Sequence, residues 1–430
     1  MTPPVLLDPL YGTRELPGAV WDAALTTEVQ RLREVRMCNI NSLTLLGAAS
    51  VNRFEHSIGT ALLAQESVNA NQADFDPRES ELLVLAGLLH DVGTAGFGHS
   101  VEYVLKSEGF AHEDLLSISL PAHEAGFAYQ SLDFEPLYFG QRRSLLNVLG
   151  RSDLEAVASM VRGDGRLGPL INGRMDLDNV DNVYRLAYHM GLAREVKPAL
   201  TIARSLWPTD DGIVLRADAI EAVVDWYETR RKLYHHLLLN IEDFSAKCML
   251  EVALRRARQV GAQEFVWNDV DFATMTALHS VPGETSSIAA RLMVGDLFGC
   301  IGIYQFPLPS SQALIGAEGS MEEHLQSELV RRTSHTSLQI SVHIIWDVQK
   351  TEREIQVKLD NGSLKTIGRD VSRVLIGVFA RNRSLNHLTL SRSPSAAGVM
   401  ADVTLRALQA ALGEGVALAP QEQRVESHVD

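Results

Sequence analysis

Cysteine is scarce. The 430 residues hold three, Cys38, Cys248 and Cys300, far apart and in no CxxC or Cys/His spacing. That argues against a disulfide framework or a thiolate zinc site, and points to buried thiols in a reducing, cytoplasmic compartment. Long apolar runs are missing too: none approaches 18 residues, so no membrane span is expected. The opening MTPPVLLDPLYG has no basic stretch ahead of an apolar core, so no signal peptide is expected. Positive charge is in deficit, with 39 Lys and Arg against 54 Asp and Glu and a net charge of −15. A protein that lives on duplex phosphate contacts needs the opposite balance, so nucleic acid is not an expected partner. A small phosphorylated substrate in a locally basic pocket is compatible with it.

What is present reads as an ordinary globular chain, 46% hydrophobic and 22% charged. Histidine is the uneven one. Five of the 14, at positions 56, 90, 99, 112 and 123, fall in the first 123 residues. Two of them frame the stretch LLVLAGLLHDVGTAGFGHSVEYVL, residues 82–105. Leu82, Leu83, Leu85, Ala86, Leu88 and Leu89 cover more than one helix face, which predicts a buried helix. His90 and Asp91 end it, and Gly93, Gly96 and Gly98 then turn the backbone. An imidazole and a carboxylate at the end of an oily helix are costly unless compensated. A divalent metal compensates both.

Along the rest of the chain, Pro and Gly before residue 20 predict an irregular or short-strand lead-in, and Trp21–Met37 reads as one helix. A helix opens at Arg53-Phe54-Glu55-His56 and runs to about Ser67. Met175-Asp176-Leu177-Asp178-Asn179-Val180-Asp181 leads into another, with Asp176 as a cap and Asp181 as a neighbour that orients ligands. Asp210-Asp211-Gly212 looks like a hairpin turn, and two long helices follow to about Val260. After residue 300 the pattern turns to strands: Leu338–Val348, a hairpin at Ile355–Ile367, and Val374–Phe379. A helix over 397–412 comes last. The expected organisation is a helical domain over 1–300, an α+β unit over 301–415 and a flexible tail over 416–430.

Arg53-Phe54-Glu55-His56, then His90-Asp91, then an Asp in a later helix, resembles the H…HD…D signature of the HD-domain phosphohydrolases. Gln30-Arg31-Leu32-Arg33, Asn52 through His56, Phe97-Gly98-His99 with Glu102, Phe110-Ala111-His112-Glu113 and Thr229-Arg230 are similar to its deoxynucleoside triphosphate triphosphohydrolase branch. The resemblance spans residues 5–260 and more weakly the chain to 390. It implies a mainly α fold: an HD-domain helical core with a smaller C-terminal α+β unit. It also implies a divalent metal ion (Fe, Mn, Mg, Co or Zn) on His56, His90, Asp91 and Asp178. His99, Glu102 and His112 become catalytic candidates, with His123 as the alternative to His112. Arg53, Arg230, Asn182 and Cys38 become candidate substrate contacts.

The chain also departs from that branch. Thr94 stands where it often has His, and Asn179 where animal members carry a Lys toward the outer phosphates. Asn182 and Leu186 stand where Tyr and Asp usually recognise the sugar. Gln30 and Arg33 match a regulatory nucleotide site, but Leu25 replaces its acidic partner, so that regulation is not expected. The function implied is a nucleotide phosphohydrolase, most like a dNTP triphosphohydrolase, acting as a homo-oligomer. A nucleoside monophosphate or modified-nucleotide phosphatase and a non-catalytic nucleotide-binding protein are the alternatives.

Overall fold

A computed structural model describes residues 5–38, 45–98, 100–102, 144–193, 195–209, 212–261, 270–307, 318–333, 338–348, 350, 352–381, 394–413 and 415–419. The fold is mainly α. It opens with an antiparallel ribbon of β1 (Val5–Asp8) and β2 (Gly12–Glu15). Two short helices, α1 (Gly18–Ala24) and α2 (Thr27–Gln30), stand where the sequence predicts a single one. The break is at Thr26, whose backbone is extended and whose hydroxyl donates to the Ala23 carbonyl at 2.7 Å.

The next two helices build the body. In α3 (Arg53–Ala70) the side chain of Asn52 caps the first turn, accepting from the Glu55 N–H at 2.9 Å. In α4 (Pro77–Leu89) Asp76 and Glu79 form a capping box, and Pro77 takes the first position, where no N–H is needed. Every residue from Leu82 to Leu89 is buried. Each buried Leu contributes about 1.5–3 kcal/mol, so α4 is the central helix of the body. The helices α5 (Leu145–Leu149), α6 (Arg151–Val161), α7 (Leu177–His189) and α8 (Lys197–Ser205) follow. Helix α3 packs on α4, α7 and α8, and α4 also on α6. A hairpin of β3 (Leu206–Thr209) and β4 (Gly212–Leu215) leads to the long pair α9 (Ile220–Leu239) and α10 (Ile241–Gln259), then α11 (Asp271–Ser280) and α12 (Glu284–Met293).

The remaining chain supplies β5 (Gly299–Pro307), α13 (Glu318–Thr333), β6 (Ile340–Val348), β7 (Ile355–Leu359), β8 (Leu364–Ile367), β9 (Ser372–Ala380), α14 (Pro394–Leu412) and β10 (Ala417–Leu418). One antiparallel sheet has the order β10-β5-β9-β6. Strands β6 and β9 pair all the way to Val348 opposite Ser372. The chain between those two residues therefore leaves the sheet and returns to it at the same rung. On its way it forms a second sheet, β3-β4-β7-β8, in which β4 and β7 run parallel. This arm buries Ile355, Val357 and Ile367 in the core of the helical body. No described helix is long and apolar enough to cross a membrane.

Candidate metal centre

Three helix ends converge. His56 sits in the first turn of α3, His90 and Asp91 at the end of α4, and Asp178 in the first turn of α7. His56 Nε2 lies 3.1 Å from His90 Nε2 and 2.9 Å from Asp178 Oδ1, and His90 Nε2 lies 3.5 Å from that oxygen. Asp91 Oδ2 is 3.9 Å from His56 Nε2 and 3.6 Å from His90 Nε2.

The outer ring nitrogens decide which atoms face inward. His90 Nδ1 lies 2.9 Å from the Gly87 carbonyl, which can only accept, so Nδ1 carries the proton. His56 Nδ1 lies 2.7 Å from Asp181 Oδ2, which assigns the same tautomer. Both neutral rings then present Nε2 as an acceptor, beside a carboxylate oxygen. Three converging buried acceptors repel one another unless a cation lies between them. Two imidazoles and a carboxylate are a donor set a divalent ion accepts, and His56, His90 and Asp178 could hold one. In the absence of metal a proton takes that role. Burial opposes the charging of His56, but hydrogen bonds and charges of Asp178 and Asp181 prevail and push it up to about 10. Asp178 is held well below the usual carboxylate range: burial opposes this, and His90 and His56 outweigh it.

Residues 53–125 match the HD domain family. The chain carries an HD domain. Relatives extend that likeness at modest identity. An uncharacterised Bacillus subtilis protein, YwfO, is 29% identical over 252 residues, 58% of this chain and 54% of its own. The deoxynucleoside triphosphate triphosphohydrolase SAMHD1 homolog of Dictyostelium discoideum is 24% identical over 275 residues, 59% of this chain and 49% of its own. The chain thus spans about half the length of these curated relatives. The fold is shared with a crystal structure of a phosphohydrolase from Bacteroides thetaiotaomicron, with a TM-score of 0.61 at 18% identity. That match covers 87% of this chain and 99% of the other.

Within the HD domain, Asp91 is turned toward Arg53, whose Nη1 donates to both its oxygens at 2.7 and 2.8 Å. Arg53 is buried and also feels Glu102 and Asp178. Thr94, read from sequence as a departure, donates its hydroxyl to Asp91 Oδ1 at 3.1 Å. Cys38 is buried near Arg53; burial and then Asp243 push its thiol up to about 12, so it is neutral at physiological pH. Asn182 is half-buried one helical turn beyond Asp178. Arg230 is buried on α9, donating to the Lys350 carbonyl and stacked on Tyr234. His99, His112 and His123 lie outside the described residues.

Asp176 caps α7, accepting from the Asn179 N–H at 2.7 Å, and Asp181 orients His56, the two roles their positions suggest. Sequence reading missed the support behind Asp181. Arg185 donates to both its oxygens at 2.9 Å and the Tyr11 hydroxyl to Oδ1 at 2.7 Å. Arg185 also reaches Asp8 and Glu55, at 3.1 and 2.7 Å, and is fully buried. The i, i+4 spacing of Asp181 and Arg185 was the one available signal. Arg31 is likewise buried, its Nη2 donating to the Val92 and Thr94 carbonyls at 2.8 and 2.9 Å and pinning the turn after Asp91.

Proposed function

We propose that this chain is a metal-dependent phosphohydrolase acting on a nucleotide, most like a dNTP triphosphohydrolase that releases nucleoside and tripolyphosphate. The convergence of His56 Nε2, His90 Nε2 and Asp178 Oδ1 carries the reading, because three buried acceptors so close call for a cation. The HD domain match and the SAMHD1-named relatives support it. A bound divalent ion supplies Lewis acidity to phosphate and to water. The chain's own residues do the rest. Asp181 and the Gly87 carbonyl fix the two imidazoles, and Arg53 with Thr94 holds Asp91 at the edge of the cage as a fourth ligand. The Arg53 guanidinium adds positive charge for a phosphate. His99 and His112 are the candidates to move a proton to the leaving oxygen, with Glu102 orienting His99.

The test is metal analysis followed by incubation with ribo- and deoxynucleotides, as mono- and triphosphates, with Fe, Mn, Co, Mg or Zn. Tripolyphosphate plus nucleoside is the expected product, and a silent panel with every metal refutes the reading. A monophosphatase is the second reading, favoured by Asn182 and the buried Leu186 in place of residues that usually recognise the sugar. Orthophosphate as the product identifies it.

A further inference from the structure

The helix that carries Asp178 has a second cationic neighbour, and it comes from the far end of the chain. Arg230 is 3% exposed, yet its partners are a backbone carbonyl and two ring faces, Tyr234 at 4.3 Å and Trp226 at 6.0 Å from the guanidinium carbon. Its Nε is buried with no hydrogen-bond partner. Beside it stands Arg353, on the arm that leaves the sheet between Val348 and Ser372. Arg353 Nη1 donates to the Arg174 carbonyl at 2.9 Å and Nη2 to Asn179 Oδ1 at 3.1 Å, and its Nε too is buried without a partner. Among the described residues, neither guanidinium has a carboxylate within ion-pairing distance. Burial, and then the charge of Arg353, lower the Arg230 pKa, the sign of two desolvated like charges set side by side. Carbonyls and ring faces satisfy a guanidinium in part. An anion with several acceptor oxygens satisfies it fully.

Position narrows the anion. Asn179 directly follows Asp178 on the first turn of α7, and neighbours on a helix point about 100° apart. An anion on the two arginines therefore lies beside the Asp178 corner and not on it. The arm that brings Arg353 is firmly seated: β7 pairs with β4, and Gly368 (φ +75°) lies so close to Tyr227 that a Cβ would fall 2.4 Å from the ring. We propose that Arg353, with Arg230, binds an outer phosphate of a substrate whose reacting phosphate lies at the His56–His90–Asp178 cage. The ligand class is a nucleoside polyphosphate in preference to a monophosphate, and the arm is part of the substrate site. This rests on the phosphohydrolase reading above for what happens at the cage.

Calorimetric titration of the metal-loaded full chain with inorganic tripolyphosphate and orthophosphate tests it without turnover. Wild type should bind tripolyphosphate more tightly, and Arg353→Gln should weaken that binding about ten- to a hundredfold, with a much smaller effect on orthophosphate. Arg353→Lys keeps the charge but loses the fork, so it should fall between, and it answers the question if the glutamine variant melts early. Repeating the titration with a nucleoside triphosphate separates a nucleotide site from a free polyphosphate site: tighter binding than tripolyphosphate marks the nucleotide, and weaker binding overturns the ligand class. An unchanged tripolyphosphate-to-orthophosphate ratio in both variants overturns the role of Arg353. Arg353-dependent binding without hydrolysis of any nucleotide sinks the enzyme reading and leaves the anion site standing; hydrolysis with Arg353-independent binding does the reverse.

Discussion

Asp181 is fully buried and touches four groups: His56, Arg185, Tyr11 and, through Arg185, Asp8. Its own pKa is pulled down to about 2, since the Arg185 charge outweighs the cost of burial, so it faces His56 as a carboxylate. Replacing it with the isosteric amide removes that charge from behind the imidazole. Asp181→Asn should lower divalent-metal affinity about 10–100-fold, read by competition with a chromophoric chelator. Affinity equal to wild type would show that His56 needs no such support. The candidate ligands were legible because His90-Asp91 sits at the end of an oily helix and Asp178 follows a helix cap. Tyr11, Asp8 and Arg185 were not: nothing in local spacing says that residues so far apart share one buried network, and only packing joins them.

At the scale of elements, the contact of α3 with α7 depends on a missing side chain. Gly59 faces α7, and a Cβ there would lie 2.1 Å from both Arg185 Nη2 and Asp181 Oδ1. Gly59→Ala should cost about 1–3 kcal/mol in denaturant unfolding and weaken metal binding as well, because it pushes Asp181 away from His56. Wild-type stability would mean that the two helices can slide apart freely. The turn after Asp91 has a similar brace from α11. Phe97 is left-handed at φ 59°, and Asp271 Oδ1 accepts its N–H at 2.7 Å while Oδ2 accepts from Arg36 N and Nη1 at 3.2 Å. Asp271→Ala leaves the buried Phe97 N–H unmatched and should cost about 1–3 kcal/mol by thermal or chemical unfolding. Helix α4, the pair α9–α10 and the β7–β8 hairpin were readable, having strong periodicity or an Asn-Gly turn. Strand β5 was not, because two glycines and a register shift between Cys300 and Gly302 blur its alternation.

Across the whole molecule, one charged contact ties the helical body to the second sheet. Glu251 on α10 pairs with His343 on β6 and with Arg255. Burial opposes ionisation of Glu251, but the His343 charge and hydrogen bond, with Arg255, hold its pKa below the ordinary 4.5. A carboxyl whose folded pKa is lowered contributes stability that is present above about pH 4.5 and is lost as pH falls through the folded value. Glu251→Gln should therefore flatten the acid limb of the stability–pH curve below about pH 4.5, measured by denaturant midpoints across pH. A limb as steep as wild type would place the acid sensitivity elsewhere. From the sequence alone came the helical class, the metal-ligand candidates and the strands of the C-terminal part, since each is written in a local period or a short motif. Tertiary structure alone decided the carboxylate that orients His56, the glycine that admits it, and the seating of Arg353 beside Asn179. Those depend on long-range burial, where a charge is tolerated only if distant parts of the chain arrive to meet it.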